Sequence, residues 1–252
     1  MQDIVLFVVG MVAGVMNAIA GGGTLVGFPV LLAAGQPALI ANATSHLVAL
    51  PGSLSSAYGY RKHLRKLRRS YLLLLIPCII GTAIGALLLR YTPSDNFEKY
   101  VPGLVLFAII LFAFQPLLHF HLHRHIRTKN KSLQPIILIS VAMLPVAIYG
   151  GYFGAGFGFL MLAFLGFTKL HEIHQMNGLK NLGGFTVGVI SVACLFNSGL
   201  INWRLGLVMA AGNLVGGYYG AIFAQKISTL AIRIIVIIIG LSTAAYLALQ
   251  AQ

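Results

Sequence analysis

Apolar residues gather in eight stretches, at 4–34, 39–60, 71–89, 100–118, 135–167, 175–196, 205–224 and 230–249. About 20 consecutive apolar residues cross a bilayer as an α-helix, so six of these stretches read as ordinary spans. The first and fifth are too long for one span and too short for two. Each is interrupted midway by glycines: Gly21-Gly22-Gly23 in the first, Gly150-Gly151 and Gly154-x-Gly156-x-Gly158 in the fifth. The pattern predicts an all-α fold, a polytopic transmembrane helical bundle of roughly seven to ten passes with short loops. Each interrupted stretch is predicted to be two part-length helices joined by irregular backbone, which membrane depth tolerates only inside protein or around a wet cavity.

The two interruptions also line up. An offset of 135 residues pairs Gly21 with Gly156, Gly23 with Gly158, Asn42 with Asn177, Leu47 with Leu182, Gly81 with Gly216 and Gly85 with Gly220. The chain therefore reads as one membrane domain of two internal repeats, 4–118 and 139–252, joined by a basic, histidine-bearing linker at 119–134. If the second broken stretch folds back as a hairpin, the halves are inverted, and the placement of the basic residues favours that version. Paired broken helices in inverted repeats are a recurring plan for secondary transporters.

Composition removes the soluble alternatives. Hydrophobic residues make up 58% of the chain and charged ones 8%, with a mean hydropathy of +0.90; a soluble domain carries about a quarter charged residues. The 17 basic residues against 4 acidic ones would suggest a nucleic-acid partner in a soluble protein. Here ten of the 17 fall in two loops, at 61–69 and 124–131. Two spans separate those loops, so both mark the cytoplasmic face, and no nucleic-acid partner is implied. Membrane lipid is the expected partner of the basic linker. The acidic start Met1-Gln2-Asp3 is unlike the basic n-region of a cleaved signal, and the repeat needs the first stretch to be retained. Cys78 and Cys194 lie in apolar stretches and read as packing residues.

The candidate chemistry sits beside the glycine breaks. Unwound backbone at Gly21, Gly22, Gly23 and Thr24, and at Gly154, Gly156 and Gly158, frees N–H groups and helix N-termini that attract anions. Close helix packing is the competing role for such glycines. Just beyond each break lies a polar motif: Asn42-Ala43-Thr44-Ser45-His46 in the first half, Asn177-Gly178-Leu179-Lys180-Asn181 in the second. Asn42, Thr44, Ser45, Asn177 and Asn181 supply donors to an anion, or else cap helices at the interface. Lys180 is either a buried cation that needs a counter-charge or an interfacial anchor. His46, His171 and His174 are positioned either to shuttle protons or to serve as polar interface residues. The run His119-x-His121-x-His123-x-His125 would line one side of an extended chain, but reads as a basic juxtamembrane segment; no metal site and no cofactor are expected. No Walker A loop is present, and no Asp or Glu lies inside a span.

Read together, these segments resemble the sulfite exporter TauE/SafE family. The resemblance rests on Gly10-xxx-Gly14, Gly21-Gly22-Gly23-Thr24-Leu25 with Pro29, Ala41-x-Ala43-Thr44-Ser45 and Gly81-xxx-Gly85-Ala86. In the second half it rests on Gly150-Gly151-x-x-Gly154-x-Gly156-x-Gly158, Lys180-x-Leu182 and Ile201-Asn202-Trp203. His46 departs from the pattern, which would more usually carry an apolar residue after Thr44-Ser45. The resemblance implies a multi-pass protein of the bacterial inner membrane that transports small sulfur-containing anions, such as sulfite or sulfoacetate, usually outward. An inside-negative potential drives an anion outward at about 2.3 kcal/mol per charge per 100 mV, so export needs no further energy source. The rival readings are an anion channel, an intramembrane enzyme or an accessory subunit. Oligomeric state is left open by the sequence.

Overall fold

The computed structural model describes residues 2–125, 134–166, 168, 170 and 172–223, with side chains undescribed at 109, 111–125 and 134–138. The apolar stretches become helices one by one. The first is α1 (Gln2–Ile19) and α2 (Thr24–Ala33), and the second is α3 (Ala38–Gly59). After the short α4 (Arg61–Leu64) and a 3-10 turn at Arg69–Leu74, the third and fourth are α5 (Leu75–Tyr91) and α6 (Ser94–His125). The fifth divides into α7 (Gln134–Tyr152) and α8 (Phe157–Gly166); α9 (Ile173–Leu195) and α10 (Trp203–Phe223) follow. The eighth stretch, 230–249, lies outside the described residues, as do His171, Lys226 and Arg233.

Among the described residues, four segments are long and apolar enough to cross a bilayer: Gln2–Ile19, Arg69–Tyr91, Ile173–Leu195 and Trp203–Phe223. Their outer faces carry exposed large apolar side chains, among them Ile4, Val5 and Val12 on α1 and Ile76, Ile79, Ile80 and Leu88 on α5. Water would make such a surface an aggregation site, whereas lipid solvates it.

The glycine breaks are breaks in fact. α1 stops at Ile19 and Gly21 takes φ +92; α7 stops at Tyr152, with Gly154 at φ +75 and Gly156 at φ +86. Side chains other than glycine rarely adopt this left-handed backbone, which explains why these positions are glycine. Both broken segments fold back. Asp3 at the start of α1 lies 3.5 Å from Arg204, and Gln36 just past α2 accepts a 2.9 Å hydrogen bond from Asn202. The chain thus returns to the end where it began. In the second segment, Ile139 of α7 and Leu170 beyond α8 share a cluster with Tyr71 and Leu74, beside the basic loop. The two hairpins open from opposite ends of the bundle, because α3 runs from the Gln36 end to Arg61 at the basic end.

Helices pack across the chain's midpoint. α1 lies along α10, α7 along α5, and α3 against both α9 and α10. Glycines let the backbones meet: Gly14 of α1 faces Gly216 and Gly217 of α10, and Gly81 and Gly85 of α5 face Ala147 and Ile148 of α7. The sequence reading of the Gly10-xxx-Gly14, Gly81-xxx-Gly85 and Gly212-xxx-Gly216-xxx-Gly220 motifs as packing seams matches this placement. A methyl on Gly14 would stand 2.7 Å from the Gly217 nitrogen. Gly14→Ala is therefore expected to cost about 1–3 kcal/mol by overpacking, read as a lowered Tm of the detergent-solubilised protein.

One local expectation changes. α6 continues through His125, so the alternate histidines from His119 to His125 follow a helical backbone.

Candidate functional site

The site is built where the first break meets the second. At the α1 C-terminus the Asn17 carbonyl still accepts from the Gly21 N–H (3.0 Å) while the Ala18 carbonyl has no backbone donor among the described residues, and the end of a helix carries a partial negative charge of about half a unit. Lys180, eight residues after the N-cap of α9, reaches into that end. Its Nζ donates to the carbonyl oxygens of Asn17 (2.7 Å) and Ala18 (3.2 Å) and to Asn177 Oδ1 (3.2 Å). Its side chain is among the largest fully buried ones, at 2% exposure. Of the two roles open to it from sequence, the structure shows the buried one. The partner set is unexpected: dipoles and an amide take all three ammonium donors, and no carboxylate is among them.

The glycine breaks touch each other directly. A Cβ on Gly21 would lie 2.9 Å from the Gly158 Cα and carbonyl carbon, and one on Gly158 would lie 2.7 Å from the Gly21 Cα. Only backbone without side chains fits there. Beside this crossing is a cavity of about 40 Å³, lined from α1 and its break by Asn17, Gly21 and Thr24, and from α3 by His46, Ala49 and Ser53. Gly154, Phe157 and Gly158 close it from the second break, and Lys180, Asn181, Gly184, Val187 and Gly188 from α9. At ~10–15 Å³ per water, this holds roughly three waters or a compact anion of a few heavy atoms.

Several lining groups have hydrogen-bonding capacity to spare. Among the described residues, His46 Nε2 and both amide atoms of Asn181 are buried without a partner. A buried polar group left unpaired costs about 1–3 kcal/mol, so such atoms clustered on one cavity mark a place where a ligand or waters complete the bonding. Asn17 and Ser53 are joined by a 3.1 Å hydrogen bond across the cavity wall. A smaller adjoining cavity of about 10 Å³ shares Asn17, Thr24 and Ala49 and ends on Ser45 and Asn213, whose Oδ1 is also unpartnered among the described residues.

The residues singled out from sequence divide cleanly. Gly21, Thr24, His46, Gly154, Gly158, Lys180 and Asn181 line the larger cavity. Gly23 and Ser45 line the smaller one. The others brace the framework. Asn42 Nδ2 donates to the Tyr152 carbonyl (2.8 Å), tying α3 to the end of α7, and Thr44 Oγ1 accepts from the Asn202 nitrogen (3.0 Å). Asn177 meets the cavity only through its bond to Lys180. Gly22 lies against the Phe159 ring and Gly156 against Ala108. The alternative capping role is not the one used, since the N-caps of α3 and α9 are Pro37 and Glu172 and neither makes a side-chain cap bond.

Sequence reading missed Asn17, Gly27, Val48, Ala49, Ser53, Phe157, Gly184, Val187, Gly188 and Asn213. Helical spacing contained several of them. Ala49 and Ser53 stand three and seven positions beyond His46, and Gly184, Val187 and Gly188 stand four, seven and eight beyond Lys180, which puts each set on one helix face. Asn17 was visible as a lone amide inside an apolar span, itself a functional signal in a membrane helix.

Acidic groups stay at the rim. Glu172, just before α9, meets His63 Nδ1 and Gln175, and Asp3 pairs with Arg204. Among the described residues no group of three or more His, Cys, Asp or Glu side chains is placed to hold a metal ion. No acid lines the larger cavity, so nothing there repels an anion beside the Lys180 ammonium.

Comparison with known proteins gives a consistent family. Residues 6–247 match the family described as sulfite exporter TauE/SafE. A "Probable membrane transporter protein" of Haemophilus influenzae is 33% identical over 240 residues, 93% of this chain and 89% of that protein. "Probable membrane transporter protein YfcA" of Escherichia coli K12 is 32% identical over 225 residues, covering 86% and 78%. "Probable membrane transporter protein ORF9" of a Sinorhizobium species is 28% identical over 241 residues, covering 95% and 89%. No solved structure matches the chain.

Proposed function

Because this chain belongs to the sulfite exporter TauE/SafE family of membrane transporters, we propose that it exports small sulfur-containing anions, such as sulfite or sulfoacetate, across the bacterial inner membrane. The observation that carries the reading is the cavity at the crossing of the two glycine breaks, bordered by the Lys180 ammonium and free of carboxylates. The anion lies against Thr24, Asn181 and the glycine backbone. Lys180 holds the α1 end in place and contributes its positive field rather than a free donor. The volume of about 40 Å³ suits sulfite better than a sulfonate with a carbon chain. This transport calls on no cofactor and no catalytic residue.

Alternating access follows from the architecture. The repeats 4–118 and 139–252 act as inverted halves, a reading supported by two hairpins opening from opposite ends and by the reciprocal packing of α1 on α10 and α7 on α5. Rocking of one half against the other at the Gly21–Gly158 contact exposes the cavity to each side in turn. An anion channel remains the second reading, since a polar, glycine-lined path serves conduction equally well.

Substrate class is tested by thermal stabilisation of the purified protein with sulfite, thiosulfate, sulfoacetate, simple carboxylates and neutral thiols. Sulfite is expected to raise Tm most and neutral thiols not at all. A protein stabilised only by uncharged ligands would overturn the anion reading.

A further inference from the structure

Resting on that reading, we propose that His46 is the proton-coupling residue of the anion site, taking up one proton with each anion carried. Three observations meet at this residue. It is 4% exposed in the middle of α3, its ring borders the transport cavity, and its Nε2 has no partner among the described residues. The ring also lies against the second break: a Cβ on Gly154 would stand 2.8 Å from its Cε1. His46 therefore touches both the anion's cavity and the backbone hinge that has to move when access changes.

The surrounding charges make the coupling reciprocal. Lys180, from α9, is the one other ionisable side chain among the residues lining the cavity; α1, α2 and the Gly154 break contribute Asn17, Thr24 and backbone. A second positive charge on His46 with the cavity empty has no counter-charge, and an unpaired buried charge is strongly disfavoured. An anion in the cavity supplies one. Proton and anion thus each raise the affinity for the other, by the same factor, as linkage requires. The step balances simply: a proton from water on the loading side forms an N–H bond at Nε2, crosses with the anion, and returns to water on the releasing side. The charge moved falls by one unit. A monovalent anion then crosses without net charge, so its direction follows the anion and pH gradients, while a divalent anion still carries one negative charge outward.

The test uses purified protein in liposomes loaded with a pH-sensitive dye, with sulfite and sulfoacetate as probes of flux and proton movement scored on sulfoacetate, because sulfite itself gains or loses a proton near neutral pH. Wild-type protein is expected to move one proton per anion in the same direction, with flux rising about tenfold for each unit that the pH falls on the loading side at its steepest, the slope of one proton. In His46→Gln, which keeps a hydrogen-bonding side chain but cannot take the proton, whatever flux remains is expected to carry no protons and to lose that pH dependence. Anion flux in the wild type without proton movement overturns the role of His46 and leaves the anion carrier standing. Coupled protons persisting in His46→Gln also overturn it. Absence of flux for every anion in the wild type removes the carrier reading itself, and this inference with it.

Discussion

Lys180→Met is expected to abolish anion flux and lower the Tm of the purified protein sharply. Methionine keeps much of the volume and apolar stem of lysine but carries no donor. The substitution removes the Lys180 bonds of 2.7–3.2 Å to the Asn17 and Ala18 carbonyls and Asn177 Oδ1, leaving Asn17 O with the Gly21 N–H at 3.0 Å and Ala18 O with the Tyr60 hydroxyl at 3.5 Å. At about 1.5–3 kcal/mol for a hydrogen bond to a charged group, losing these bonds is a large part of a typical stability. The α1 end would lose its cap, and the cavity would lose the one lysine or arginine among its lining residues. Lys180→Ala adds an empty space to the same defects and is expected to fall further. Parallel measurements of Tm and of sulfite-induced stabilisation separate the two effects. Wild-type stabilisation by sulfite in a folded Lys180→Met protein would remove the electrostatic role while leaving the structural one.

The second large effect is expected at the contact between the breaks. Gly158→Ala puts a methyl 2.7 Å from the Gly21 Cα, a backbone atom that cannot swing aside as a side-chain tip can. The two hairpins must separate by several tenths of an ångström, at an overpacking cost of about 1–3 kcal/mol. The consequence for transport is expected to be larger than for folding, because the proposed movement of the halves pivots on the same contact. Folded Gly158→Ala protein is expected to show transport below a tenth of the wild-type rate, with Tm reduced by far less than in Lys180→Met. Gly35→Ala serves as a contrast: Gly35 has φ +81 but nothing within 4 Å of an added Cβ. It should cost backbone strain and leave transport close to wild type. Equal transport loss in both variants would show that the Gly21–Gly158 contact has no special part in the movement.

The outline of the bundle was legible because its signals are long. Runs of about 20 apolar residues survive any local ambiguity, and glycines in mid-span announce backbone that leaves the helix. Lys180 and His46 were legible for the same physical reason: a polar group in an apolar span needs a purpose. What the sequence left undecided was where those groups point. Lys180 looked like a ligand for an anion, yet its donors close the α1 end 163 positions earlier in the chain, a pairing that no local spacing encodes. Asn42 and Thr44 looked like site residues because they flank the break, but their rotation on α3 turns them to Tyr152 and Asn202. Asn17 stands out in sequence as a lone amide in an apolar span, but its place on the cavity follows only from the meeting of α1 with α3, shown by its bond to Ser53. Within one element, helical phase carries a residue to the cavity. Between elements, only the packing does.

The cavity at the two glycine breaks is proposed to belong to an alternating-access carrier of small sulfur-containing anions. Counterflow in proteoliposomes tests it most directly, with radiolabelled sulfite outside and vesicles preloaded with or without unlabelled sulfite. The expected result is that preloading accelerates entry of label several-fold and drives its transient accumulation above equilibrium, in wild type but not in Gly158→Ala. Entry that is fast yet indifferent to preloading would identify a channel, and entry no faster than in protein-free vesicles would contradict the account.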